Sequence, residues 1–133
     1  MAAELTVLGL AVVLALVQLV LYAVPANREI GVDWTTGPRD TPALHKLSVR
    51  TGRLQRAYAN HIEGLVLFGA AVLIVVASGR GSNLTAMAAW VYLAARVIYV
   101  PLYWAGVPMW RSVVWMVGLT ATMVMIGAAL LGA

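Results

Sequence analysis

The stretch Arg53-Leu-Gln-Arg56-Ala-Tyr-Ala-Asn60-His-Ile-Glu63-Gly-Leu-Val-Leu-Phe68 carries a dense polar face straight into a hydrophobic run. At about 100° per residue, Arg53, Arg56, Asn60 and Glu63 fall within roughly a quarter-turn of one helix face, while Leu54, Leu65, Phe68 and Val72 lie elsewhere on the helix surface. A charged side chain at mid-membrane costs about 2.5 to 3.5 kcal/mol on insertion scales. Such a stripe therefore has to face a partner helix or a polar cavity, which makes it the first candidate for a functional site.

Composition decides the class. Of 133 residues, 62% are hydrophobic and 11% charged, against about 25% charged in soluble domains. The length allows one domain of four membrane-length helices with short connections. Nine Lys and Arg outnumber five acids, but the excess is concentrated between Arg28 and Arg56, so the basic character describes one loop and its flanks and not a nucleic-acid surface. With no cysteine the chain has no disulfide, no thiolate nucleophile of its own and no Cys-based metal site. No metal is expected, and thiol chemistry here requires a thiol from outside.

The apolar runs place spans at about 5–24, 48–78, 84–104 and 110–131, an all-α integral-membrane four-helix bundle. The first run is too long for a signal-peptide core and lacks a basic leader, which argues against the cleavage site that Ala23-Val-Pro-Ala26 faintly suggests. Pro25 and Asn27 are expected to end the first helix. Gly31, Gly37-Pro38 and Pro42 punctuate a polar connection, Trp34 suits the membrane interface, and Thr41-Pro42 reads as the cap of a helix restarting near Ala43. His45 and Lys46 then sit on an exposed first turn.

The third span carries a second polar stripe, Tyr92, Arg96, Tyr99 and Tyr103, spaced four, three and four apart and clustered on one face. An arginine within a span calls for a carboxylate, and Glu63 is the only acid inside the expected spans. The pattern therefore predicts an Arg96–Glu63 pair. His61, about 100° off the first stripe, reads as a helix-interface residue. Pro101, roughly opposite the second stripe, is expected to bend or loosen the last turn. Small residues in the fourth span signal close helix packing and no chemistry. The cation-rich connections, Arg28 to Arg56 and the one near Arg111, share a face opposite Arg80, so the positive-inside rule turns that face to the cytoplasm and both termini outward.

If the stripes face each other, Arg53, Arg56, Asn60, Glu63, Arg96, Tyr99 and Tyr103, with Arg111 at the mouth, make a net-positive pocket near the cytoplasmic interface. Guanidinium forks suit carboxylates, Asn60 suits a peptide group, and Glu63 suits an ammonium. A donor beside a bound thiol favours the thiolate. The bland alternative has Arg53 and Arg56 snorkelling to headgroups, Glu63 and Arg96 as a buried specificity pair, and the tyrosines as belt residues.

Arg56-Ala-Tyr-Ala-Asn60-His-Ile-Glu63, preceded by Arg53, resembles the Arg-Ala-x-x-Asn-x-x-Glu signature of the MAPEG family, the membrane-associated proteins of eicosanoid and glutathione metabolism. Arg96 to Tyr103 with Arg111-Ser112 is similar to that family's third helix and following loop, and the likeness covers essentially the whole chain. The resemblance implies a homotrimer of four-helix subunits with glutathione as co-substrate, bound between neighbours near the cytoplasmic face. It implies that Arg56, Asn60 and Glu63 hold glutathione with Tyr99 and Tyr103 lining the site, that Arg111 activates the thiol with Ser112 following it, and that Arg28 corresponds to a further glutathione contact. Two positions depart from the pattern: Ala59 stands where several members have a second basic residue, and His61 where some have an acid. The Gly37-Pro-Arg-Asp40 loop resembles bacterial branches, which implies a bacterial inner membrane. The expected function is a glutathione-dependent transferase or peroxidase acting on lipophilic electrophiles or lipid hydroperoxides, with membrane lipids and lipophilic small molecules as partners. The alternatives are a non-catalytic lipid-binding protein of the same fold and a small transporter with Glu63 as its proton-coupling carboxylate.

Overall fold

The computed structural model describes residues 1–43 and 45–132; Leu44 and Ala133 lie outside the described residues. Four long helices are apolar enough to cross a membrane: α1 (Ala3–Ile30), α3 (Val49–Ala77), α4 (Asn83–Ala105) and α5 (Pro108–Leu131), with a short α2 (Val32–Thr36) after the first. The chain is an all-α, multi-pass membrane protein. α1 packs chiefly on α3, and α4 on α5; α3 and α4 cross between the pairs, and α1 and α5 do not meet among the described residues. Alanines 11, 71, 88, 89, 121 and 129 line the core, so the backbones approach closely around Phe68, Tyr92 and Met125. The rings of Phe68 and Tyr92 stack at 3.8 Å. Leu16, Val20, Val66, Leu73, Met87 and Met123 stay exposed on the outside, where hydrocarbon solvates them.

The first helix runs further than Pro25 and Asn27 suggested. It continues through both to Ile30 and ends where Gly31 adopts φ 103°, a conformation open to glycine because it has no Cβ. The Asn27 amide folds back to donate to the Ala23 carbonyl (2.9 Å), and the Thr35 hydroxyl donates to Asn27 Oδ1 (2.5 Å). Pro25 removes one donor near the helix end, and neighbouring side chains hold the last turn together.

The helix expected to restart at Thr41-Pro42 does not; α3 starts at Val49 under a Ser48 cap, and His45 and Lys46 lie exposed ahead of it. A cap forms where orphan N–H groups find acceptors. Here Ser48 Oγ accepts from Thr51 N (3.2 Å), Glu29 Oε1 accepts from Ser48 N (2.6 Å), and Glu29 Oε2 accepts from the Thr51 hydroxyl. One carboxylate thus ties the end of α1 to the positive end of α3 and closes the polar connection.

Both ends of α4 are pinned by distant residues. At its start Ser82 and Thr85 form a capping box, and buried Glu4 accepts from the Thr85 hydroxyl. Glu63 is therefore not the only acid inside a long helix of the bundle: α1 begins two residues earlier than expected and takes in Glu4, and it runs on to take in Glu29. At the other end Gly106 (φ 74°) closes a paired reverse turn, donating to Tyr103 O while Val107 N donates to Leu102 O, both at 3.0 Å. The helix passes Pro101 unbroken.

Candidate functional site

Where α3, α4 and the start of α5 converge, a cleft of about 420 Å³ opens, lined by Arg56, Ala59, Asn60, Glu63, Tyr99, Tyr103, Arg111, Ser112 and Trp115. Seven of the ten side chains expected in the site meet here. Two cations lie close to the Tyr103 ring, with the Arg111 guanidinium 4.7 Å and that of Arg56 5.9 Å from its centre. Arg56 Nε also donates to the Tyr103 hydroxyl (3.3 Å). Tyr99 meets Tyr103 edge-on at 5.5 Å and has the Arg96 guanidinium 4.4 Å from its own centre. Cations and aromatic faces alternate down the cleft wall, each contact worth about 0.5–1 kcal/mol where water reaches it.

Three expected residues stand elsewhere. Arg28 is exposed at the end of α1 and does not line the cleft. Arg53 serves the fold: its Nη1 donates to Trp104 O (3.3 Å), and its guanidinium lies so close to Gly106 that a Cβ there would approach it to 2.7 Å. It neutralises the negative end of α4, while neighbouring Arg50 stacks on Trp104 at 4.5 Å. Arg96 is buried behind the cleft, and no ion pair joins it to Glu63 among the described residues. Its Nη1 donates to Asn60 Oδ1 (2.9 Å) and its Nε to His61 Nδ1 (3.4 Å). Helical angle put Arg96 and Glu63 on facing surfaces, but depth decides the partner: Glu63 is exposed at the cleft, whereas His61 is fully buried.

This arrangement fixes two orientations. Guanidinium can only donate, so His61 Nδ1 accepts and His61 Nε2 carries the proton, donating to Ala11 O at 2.9 Å. His61 is a neutral bridge from α1 to α4, the interface residue its position off the stripe suggested. Because Arg96 occupies Asn60 Oδ1, the amide group of Asn60 is left as the donor it can offer the cleft. Ser112 spends its proton on Pro108 O (3.2 Å) and keeps lone pairs free. The cleft thus offers mainly donors and cationic charge, with Glu63 as its carboxylate.

Trp115 was missed by sequence reasoning. It lies four residues after Arg111, hence on the same helix face, a signal legible once Arg111 was assigned to the site. Beneath the cleft lies a smaller chamber that Asn60, Glu63 and Trp115 share with it and whose lining includes Tyr92 and Arg96. A separate apolar groove of about 530 Å³, lined by α4 and α5 residues such as Met87 and Met116, shares none of these residues.

The MAPEG family model matches residues 7–131. The chain belongs to that family. No curated protein and no solved structure matches it. The match spans all four membrane helices, so the MAPEG assignment covers the cleft and every residue that builds it. Within the MAPEG frame, Ala59 lines the cleft where a second basic residue was looked for, and Arg56 and Arg111 are its two cations.

Proposed function

We propose that the cleft binds glutathione and that the protein is a membrane-bound glutathione-dependent transferase or peroxidase. The observation that carries this reading is the convergence of Arg56, Arg111, a donor-facing Asn60 and the carboxylate of Glu63 on one 420 Å³ cleft. Glutathione has the matching groups: two carboxylates for the guanidinium forks, an ammonium for Glu63, and peptide carbonyls for Asn60. Family membership supports the same ligand class.

Arg111 is the residue assigned to the thiol. A guanidinium beside the sulfur favours the thiolate, the nucleophilic form. The thiolate would attack an electrophilic carbon and displace its leaving group. Alternatively it would attack the O–O bond of a hydroperoxide, giving an alcohol and a glutathione sulfenic acid, which a second glutathione converts to disulfide and water. Lipophilic substrates reach such a site from the bilayer. The reading includes a homotrimer with glutathione between neighbours. The excess of cations on the connections beside the cleft supports, by the positive-inside rule, a cytoplasmic position for it.

Ala59 favours a second reading, a ligand-binding protein without turnover, because it leaves the clamp one cation short. Calorimetry with glutathione on purified protein, together with the ultraviolet absorbance of the thiolate, separates the two. The transferase reading expects binding, and a thiolate signal that disappears in Arg111→Ala. Absence of binding at millimolar glutathione refutes it.

A further inference from the structure

At the end of the bundle where α4 turns into α5, two guanidiniums meet one tryptophan. Arg50 lies 4.5 Å from the centre of the Trp104 ring, and Arg53 Nη1 donates to the Trp104 carbonyl (3.3 Å). The two arginines are three residues apart on α3, hence on one face of it. Arg53 is partly spent on the negative end of α4, and Arg50 makes no side-chain hydrogen bond among the described residues. Glu29, the acid at the start of the same helix, accepts from Ser48 N and the Thr51 hydroxyl. Among the described residues no carboxylate pairs with either arginine.

Helix length fixes the depth of this pair. At about 1.5 Å per residue, the 23 residues of α4 span about 34 Å and the 29 of α3 about 43 Å, against a hydrocarbon core of about 30 Å. The end of α4 is therefore close to the boundary of the core, and only Gly106 and Val107 separate it from α5. Arg53 touches the last turn of α4, and Arg50 starts nearly one turn further out, where α3 overshoots the core. Trp104 suits that level, since tryptophans gather at the interface. Chain length and contact thus put both cations at the depth of lipid phosphates.

Guanidinium forks bind phosphate oxygens in pairs. A zwitterionic headgroup brings its own ammonium to the phosphate and gains less from two added cations than a headgroup with net negative charge. A soluble anion has to be held against water and screening salt, whereas an anionic lipid is already concentrated in this layer. We propose that Arg50 and Arg53, both anchored on Trp104, form a binding site for the headgroup of an anionic phospholipid, which bridges the start of α3 and the end of α4. Arg50 carries the selectivity, because Arg53 is held to the α4 end with or without lipid. Neither arginine lines the cleft, and the site does not require glutathione.

The test embeds the full-length protein in nanodiscs of equal phosphatidylglycerol and phosphatidylcholine, and native mass spectrometry counts the lipids of each kind that stay bound. One cation near an anionic lipid is worth about fivefold in affinity. The unaltered chain is therefore expected to retain phosphatidylglycerol over phosphatidylcholine by about tenfold or more, and Arg50→Gln to cut that preference about fivefold. Lys46→Gln, which removes an exposed cation from the preceding connection, should leave it unchanged. Equal losses in the two variants indicate a diffuse basic surface and overturn the proposal. So does an undiminished preference in Arg50→Gln, the result if a second copy of the chain covers Arg50, and so does an unaltered chain with no preference. Displacement of phosphatidylglycerol by millimolar inorganic phosphate shows a site for free anions and overturns it as well. Thermal unfolding in phosphatidylcholine alone checks that Arg50→Gln is folded, and phosphatidylglycerol should raise the midpoint of the unaltered chain more than that of the variant. Glutathione calorimetry should give the same result for both, so failure at this site and failure at the cleft are distinguishable.

Discussion

Replacing His61 by phenylalanine tests the buried network at its centre. The imidazole accepts from Arg96 Nε at 3.4 Å and donates to Ala11 O at 2.9 Å. A hydrogen bond to a charged group contributes about 1.5–3 kcal/mol and a neutral one about 1 kcal/mol. Interhelical bonds inside membranes average about 0.6 kcal/mol, which sets the floor. The ionised, buried Arg96 raises the figure, and His61→Phe is expected to cost about 3 kcal/mol. Arg96, freed on one side, also loosens its hold on Asn60 Oδ1, so ligand affinity in the cleft falls as well. The assay is reversible unfolding in mixed micelles followed by far-ultraviolet circular dichroism, with glutathione calorimetry on the same samples. His61→Gln is the control: an amide both accepts and donates, so it recovers most of the stability and the affinity. If His61→Phe unfolds like the unaltered protein and binds glutathione equally, the network does not position Asn60 and the reasoning fails.

Other perturbations probe separate parts of the argument. Gly106→Ala forces a Cβ onto a residue at φ 74° and to within 2.7 Å of the Arg53 guanidinium; it should destabilise by about 1–2 kcal/mol from the backbone alone, and pairing it with Arg53→Ala should remove the steric part in a double-mutant cycle. Gln18 is buried in α1 with neither amide atom bonded among the described residues, so Gln18→Leu should stabilise the protein by about 1–2 kcal/mol in the same unfolding assay, and a loss of stability would refute this. Glu29→Gln removes the charge that joins Ser48 and Thr51 to α1, and limited proteolysis between Gly37 and Ser48 should accelerate while the membrane helices stay protected. Tyr103→Leu removes the ring that both Arg56 and Arg111 approach, and glutathione should bind several-fold more weakly, whereas Tyr103→Phe, which keeps the ring, should lose only the hydroxyl contact.

The four spans and the two polar stripes were legible because both depend on period and composition, which a sequence states directly. What it could not state was depth. Arg96 and Glu63 carry the right charges and occupy facing stripes, yet only the packed helices show that Arg96 lies at the level of buried His61 while Glu63 stands at the cleft. The span on α3 was placed from about residue 48, but its cap was not seen: Thr41-Pro42 drew the restart too early, and Glu29, which completes the Ser48 cap, sits 19 residues away across the loop. Pro25 was a fair stop signal overruled by Asn27 and Thr35. Arg53 shares the stripe of Arg56 and Asn60, but the reverse turn at Gly106 uses it first. At the cleft, the motif brought together the residues of α3 and α4, and Trp115 escaped because it belongs to no charge pattern.

The pairing of the helices has a mechanical meaning. Since α1 rests mainly on α3 and α4 on α5, while α1 and α5 do not meet among the described residues, the bundle consists of two leaves joined along a seam. Arg56, Asn60 and Glu63 hang from one leaf, and Tyr99, Tyr103, Arg111 and Trp115 from the other. A slight change in the angle between leaves alters the spacing of these groups without unwinding a helix. Bilayer thickness and lateral pressure tilt helices at modest cost, so the membrane itself has leverage over how widely the cleft stands open.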